Sequence, residues 1–124
     1  MKYTIDVHEF SFNKIKNGTR KIGVHIFDKN AQLIKLYDTL DMRNSSTGEH
    51  LECKVKGIAI FDNFNDLVDA LGAEALGYDN KKEVLIRLER VYPAILQQKL
   101  NVVAFFLEPQ QETIRRIERG EIER

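Results

Sequence analysis

Apolar positions along the chain switch between period two and a helical period, and each switch marks an element. The opening "KYTIDVH", residues 2–8, is rich in β-branched and aromatic side chains and predicts a short strand. In "SFNKIKNG" the period becomes helical. Phe12 and Ile15 share a face, Ser11 is placed as an N-cap, and Gly18 supplies the stop. "RKIGVHIF" alternates again, with Ile22, Val24 and Ile26 on one side and Lys21, Gly23, His25 and Phe27 on the other. Arg20 shares the parity of the apolar set, which places it at a rim and not in open solvent. "DKNAQ" reads as a turn, and "LIKLYDTLDM" as two extended pieces joined by a bend at Tyr37-Asp38.

"RNSSTGEH" is dense in turn formers and predicts a hairpin loop. The return strand "LECKVKGIAIF" points Leu51, Cys53 and Val55 inward. After Gly57 the apolar parity moves to Ile58 and Ile60, as a β-bulge at the glycine would produce. "DNFNDLVDALG" repeats Phe64, Leu67, Val68 and Leu71 at helical spacing and closes on Gly72. "DNKKEVLIRLERVYP" predicts a second helix, capped by Asp79, striped by Val84, Leu88 and Val91, and stopped at Pro93. "LNVVAFFLE" is apolar on both parities and so predicts a central strand. Strands, then two helices, then a core strand imply an α+β domain with a strongly bent sheet. Strands within 20–60 and 101–107 are expected to form one closed or nearly closed barrel, with helices near 62–72 and 79–92 outside it. Residues 110–124 carry only Ile114, Ile117 and Ile122 among charges and predict a marginal helix or a frayed tail.

Charge changes this picture locally. The 124-residue chain balances 19 basic against 19 acidic side chains, which argues against a scaffold held to nucleic acid by net charge alone. The balance is uneven along the chain. Asp62, Asp66, Asp69, Glu74 and Asp79 fall in a stretch, 58–80, that has no Lys or Arg, while residues 1–57 are mildly basic. The single cysteine, Cys53, excludes an intrachain disulfide and fits a reducing compartment, so the cytoplasm is the expected location. The apolar run "VVAFFL" is far too short for a membrane span, and no membrane partner is expected. His50 and Cys53 are too few to hold zinc, and no other spacing suggests a metal or cofactor site.

The order and wording from "FNKIKNGTRKIGVHIFD" through "STGEH", "DNFNDLVDAL", "LGY", "VYP" and "NVVAFFLE" resemble an ASCH domain of the PUA-like superfamily, over roughly residues 8–108. The matching scaffold positions include Gly18, Asp28, Gln32, Lys35, Asp38, Thr47, Gly48, Gly77, Tyr78, Tyr92 and Pro93. The resemblance implies residues 1–109 as a small open β-barrel with flanking helices, residues 110–124 as an appendage, and a cleft for RNA or a nucleotide. Some members of the family are similar to amidohydrolases acting on N4-acetylcytidine. The pocket motif departs from that pattern: its lysine falls on Arg20, its threonine or glutamate on Gly23, its arginine on His25, and the glycine of a "GD" pair on Tyr37. Lysine can be tuned by burial into a nucleophile or base, whereas arginine stays protonated and glycine has nothing to offer.

The expected ligand contacts are therefore Arg20, Lys21, His25, Asp28, Tyr37 and Tyr78, with no catalytic residue among them. Arg20, Lys21 and His25 read either as phosphate or base contacts or as a solvated strand end. Tyr37, Tyr78 and Phe27 are possible stacking surfaces or ordinary packing. The leading expectation is a non-catalytic binding module for RNA or a nucleotide. The alternative is a protein-interaction module acting through the Asp62–Asp79 helix face or the charged tail. An amidohydrolase stands third.

Overall fold

The apolar run after residue 101 becomes the strand against which both cores pack. The computed structural model describes residues 1–110. In chain order these form β1 (Lys2–Val7), α1 (Glu9–Lys16), β2 (Ile22–Ile26), α2 (Lys29–Leu33), β3 (Thr39–Asn44) and β4 (His50–Phe61). Then follow α3 (Phe64–Leu71), a 3-10 turn (Glu74–Leu76), α4 (Lys81–Val91), α5 (Ala94–Leu100) and β5 (Val102–Pro109). The charged tail expected from residue 110 lies, from residue 111 on, outside the described residues.

The five strands make one mixed sheet in the order β1-β3-β4-β5-β2. β1 runs parallel to β3, and the other three pairings are antiparallel. The sheet curls. β2 and β3 are separated by two intervening strands, yet the Met42 Cε of β3 stands 3.6 Å from where a Cβ on Gly23 of β2 would lie. The result is an α+β half-barrel whose edges, β1 and β2, remain unpaired with each other. Of the closed or nearly closed barrel expected from residues 20–60 and 101–107, the sheet takes the open form, with helices packed on it as expected and β1 added as an edge strand.

Two apolar clusters lie on opposite faces of β5. Inside the curl, Phe12 and Ile15 of α1 and the α2 segment's Ala31 and Ile34 pack on Leu40, Val55, Phe105 and Leu107. Outside, Phe64, Leu67 and Val68 of α3 and Val84 of α4 pack on Ile22, Ile26, Val102 and Ala104. A strand covered on both faces has no polar side to present, which is why β5 reads as a continuous apolar run. The β4 bulge falls where the parity change places it: register shifts between Val55 and Gly57. Glycine is needed there for space, because a Cβ would stand 3.0 Å from the Phe106 ring. Ile58 packs against the inner cluster, while Ile60, expected inward, is 51% exposed beyond its end.

Several local readings are corrected. "DKNAQ" is not a plain turn but the start of α2, nucleated by the Asp28 carboxylate, which accepts from the Ala31 N–H at 2.9 Å. The first of the two extended pieces is absent, since Leu33 closes that helix and the chain turns through Lys35–Asp38. α1 begins a turn earlier than expected, with His8 at the N-cap position and Ser11 inside the helix. Pro93 stops α4 but also opens α5, a position where its fixed φ and missing N–H cost nothing. The cap of α4 is Asn80, not Asp79: the Asn80 Oδ1 accepts from the Glu83 N–H at 2.9 Å. Asn80→Ala is therefore expected to cost about 1 kcal/mol in chemical unfolding and Asp79→Ala less than about half that. Equal losses would return the cap to Asp79.

Candidate functional site

The sequence brings Arg20 inward on the parity of Ile22, and the fold leaves it at the floor of a cleft between α1, β2 and α4. Arg20 is only 5% exposed. Its Nε donates to the Ile22 carbonyl at 2.6 Å and its Nη1 to the Ser11 hydroxyl at 3.0 Å. Desolvation pulls the guanidinium below its ordinary pKa. Among the described residues no carboxylate forms an ion pair with it. A buried cation with hydrogen bonds but no counter-ion is costly unless an anion completes it.

The cleft has two adjoining lobes. The first, about 140 Å³, is walled by Phe10, Leu76, Tyr78 and Val84, with Arg87 and Arg90 of α4 at its rim. No Asp or Glu lines it. The second, about 250 Å³, shares Arg20, Ser11 and His8 with the first and extends over Gly23, Met42 and Tyr92. Arg87 is held by stacking, its guanidinium carbon 4.3 Å from the Phe10 ring centre. Lys14 lies 4.8 Å from the same ring centre and donates to the Gly77 carbonyl at 2.6 Å, tying α1 to the 3-10 turn. Val91, expected in the packed stripe of α4, is 47% exposed because this end of the helix walls an open cleft.

The six expected contact residues do not share one site. Arg20 and Tyr78 meet in the first lobe, where Tyr78 packs on Phe10 with ring centres 5.5 Å apart. His25 and Asp28 line a different opening, between β1 and α2. The His25 ring stands steeply inclined to that of Tyr92, ring centres 5.5 Å apart, and its Nδ1 lies 2.6 Å from the Ile26 carbonyl, while Asp28 is engaged as the α2 cap. Lys21 is exposed before β2 and lines none of these openings. Tyr37 stands just before β3, its N–H donating to the Val55 carbonyl at 2.7 Å and the Lys56 ammonium 5.7 Å from its ring centre. Its backbone is left-handed, φ 69°. Alternation grouped Lys21 with His25, but the strand begins only at Ile22 and Lys21 falls outside it. His8, Phe10, Ser11, Arg87 and Arg90 were not anticipated. The i, i+3 spacing of Arg87 and Arg90 is the sequence signal that places both on one side of α4.

Asp6, His8 and Ser11 all line the second lobe, yet no hydrogen bond joins them. The Ser11 hydroxyl accepts from Arg20, and Asp6 accepts from Arg43 at 3.1 Å. Burial pushes the Tyr92 hydroxyl up to about 12, so it stays protonated. At Gly23 a side chain has little room, because a Cβ would stand 3.1 Å from the Leu107 Cδ1. Elsewhere, Cys53 is buried with its thiol pushed to about 12, and His50 Nδ1 lies 2.9 Å from the Asp41 carboxylate. On the acidic helix face, Asp69 pairs with Lys81 at 2.6 Å.

No helix among the described residues is long and apolar enough to cross a membrane. No family model and no curated protein matches the chain. Solved structures that share its fold include the following two. One is the solution NMR structure of protein PF0455 from Pyrococcus furiosus, at 25% identity and a TM-score of 0.70, covering 88% of this chain and 97% of that one. The other is the crystal structure of the hypothetical protein PH0355, at 28% identity and a TM-score of 0.78. The match covers 88% of this chain and 99% of that one, so the half-barrel with its helices is a fold the two proteins hold in common.

Proposed function

We propose that the chain is a non-catalytic, ASCH-type binding module whose cleft takes a nucleotide or RNA through its phosphate. One observation carries this reading: Arg20 is buried, fixed by the Ile22 carbonyl and Ser11, and unaccompanied by a carboxylate at the floor of a lobe rimmed by Arg87 and Arg90. Tyr92 and the apolar walls of the adjoining second lobe suit a base or sugar beside the phosphate. The resemblance to ASCH domains is supported at Tyr37. The family places glycine there, and the left-handed backbone is one that favours glycine. Catalysis of the amidohydrolase type is disfavoured by Arg20 and by the crowding at Gly23.

Titration of nucleoside monophosphates and a short RNA by calorimetry tests the reading. Binding is expected in roughly the 10⁻⁴ to 10⁻⁶ M range at low salt, weakening as salt rises. Failure of every such ligand to bind at low salt would sink it. A second reading, a protein-interaction module, then takes its place, on the strength of the exposed Ile86, Ile95 and Leu96 of α4 and α5.

A further inference from the structure

Resting on that reading of the cleft, we infer that its ligand is a terminal phosphate monoester on an apolar or aromatic carrier, and not a phosphodiester within a strand. The charge count points this way first. The first lobe gathers three guanidiniums and no carboxylate. A phosphodiester brings about one negative charge, whereas a monoester brings nearly two at neutral pH and three terminal acceptor oxygens.

Depth gives the second argument. Arg20 is the floor and is 5% exposed, while Arg87 and Arg90 are exposed at the rim. A bridging phosphate must continue in both directions and cannot be driven to the floor of a lobe of about 140 Å³. A chain end can. Among the described residues Nη2 of Arg20 makes no hydrogen bond and no sealed side-chain polar atom lacks a partner, so Nη2 is open to the cleft whose two lobes Arg20 lines. With Nε and Nη1 already anchored, that edge of the fork is presented without further ordering. Arg87 is held likewise by Phe10. His8, Phe10 and Ser11, at the N-terminal end of α1, line the same lobe, and the N-cap His8 supplies no side-chain cap there. The second lobe, with Val24, Met42, Leu88 and Tyr92, then receives the carrier.

The test compares defined probes by calorimetry: a nucleoside 5′-monophosphate, its nucleoside, its 3′,5′-cyclic diester, inorganic phosphate, and one RNA hexamer with and without a 5′-phosphate. The monophosphate is expected to bind about tenfold or more tighter than the cyclic diester or the nucleoside. The 5′-phosphorylated hexamer should exceed its unphosphorylated form if an RNA end is the source. Equal hexamers with a tight monophosphate would assign the site to free mononucleotides. Inorganic phosphate should bind more weakly than the monophosphate, since it leaves the second lobe empty.

Acidification from about pH 7.5 to about pH 5 should weaken the monophosphate severalfold as its second proton returns. The other titratable groups facing the cleft are His8, Tyr78, Tyr92 and Asp6, beside the three arginines. Protonating His8 or Asp6 would favour an anion, so a fall in affinity reports the ligand. Arg87→Gln with Arg90→Gln, both at exposed positions, should cost the monophosphate about tenfold and shift the urea midpoint only slightly, by the loss of the Arg87 stack on Phe10. Cyclic diester or unphosphorylated hexamer binding as tightly as the monophosphate would overturn the inference while leaving the cleft reading intact. No binding by any probe would overturn both.

Discussion

Phe105→Ala should lower the unfolding free energy by about 3–5 kcal/mol, read as a fall in the urea midpoint at unchanged slope. Phe105 is 1% exposed and sits in the inner cluster. On β5 it pairs with Gly23 on one side and Ile58 on the other. The curl leaves no route for collapse, because α1, α2 and four strands fix the walls of the space it fills. Domains of this size hold only about 5–15 kcal/mol in total, so the variant loses a large share of its stability. Ile60→Ala is the control. It lies on the adjacent strand but is half exposed, and its loss should stay within about 0.5 kcal/mol. A loss below about 1 kcal/mol for Phe105→Ala would mean that the inner cluster is loosely packed and the half-barrel deformable.

Arg20→Met should abolish detectable nucleoside monophosphate binding, a loss of about 2–3 kcal/mol or more, while changing stability by less than about 2 kcal/mol. The two effects separate because Arg20 works against itself in the empty protein. Methionine fills a similar path, removes the desolvated charge, and strands the Ile22 carbonyl and Ser11 hydroxyl that Arg20 now satisfies. Those terms oppose each other in folding, whereas in binding both the charge and the fork are simply gone. Arg20→Lys keeps the charge without the fork and should fall between the two. Retained affinity in Arg20→Met, with the fold intact by circular dichroism, would remove Arg20 from the site.

Alternation and period located the strands and α3 because each rests on a repeated contact with a core. β5 announced its double burial, and the β4 bulge announced itself through the parity change around Gly57. What stayed hidden depends on single side chains or on packing across the fold. α2 is five residues long, too short for a period, and depends on one cap from Asp28. α5 hid behind Pro93, which signals an end and a beginning equally well. Two of the cleft's side chains were legible, Arg20 by its parity and Tyr78 as a candidate stacking surface. The rest come from α4 and the first turn of α1, which approach β2 only through the tertiary fold. His25 sits on the opposite parity of β2 from Ile22 and Val24, and Asp28 is taken up as the α2 cap, so both belong to another opening.

Phe61 and Val102 are register partners at the ends of β4 and β5, so everything between them leaves the sheet and returns to the same point. α3, the 3-10 turn, α4 and α5 are thus one closed excursion, and it carries Arg87, Arg90 and Tyr92. The sheet, α1 and Arg20 belong to the remainder. Its two ends lie a strand spacing apart, about 5 Å, which makes the excursion exchangeable as a cassette. Swapping it between proteins of this fold would regraft the rim of the cleft, and with it ligand preference, onto an unaltered floor.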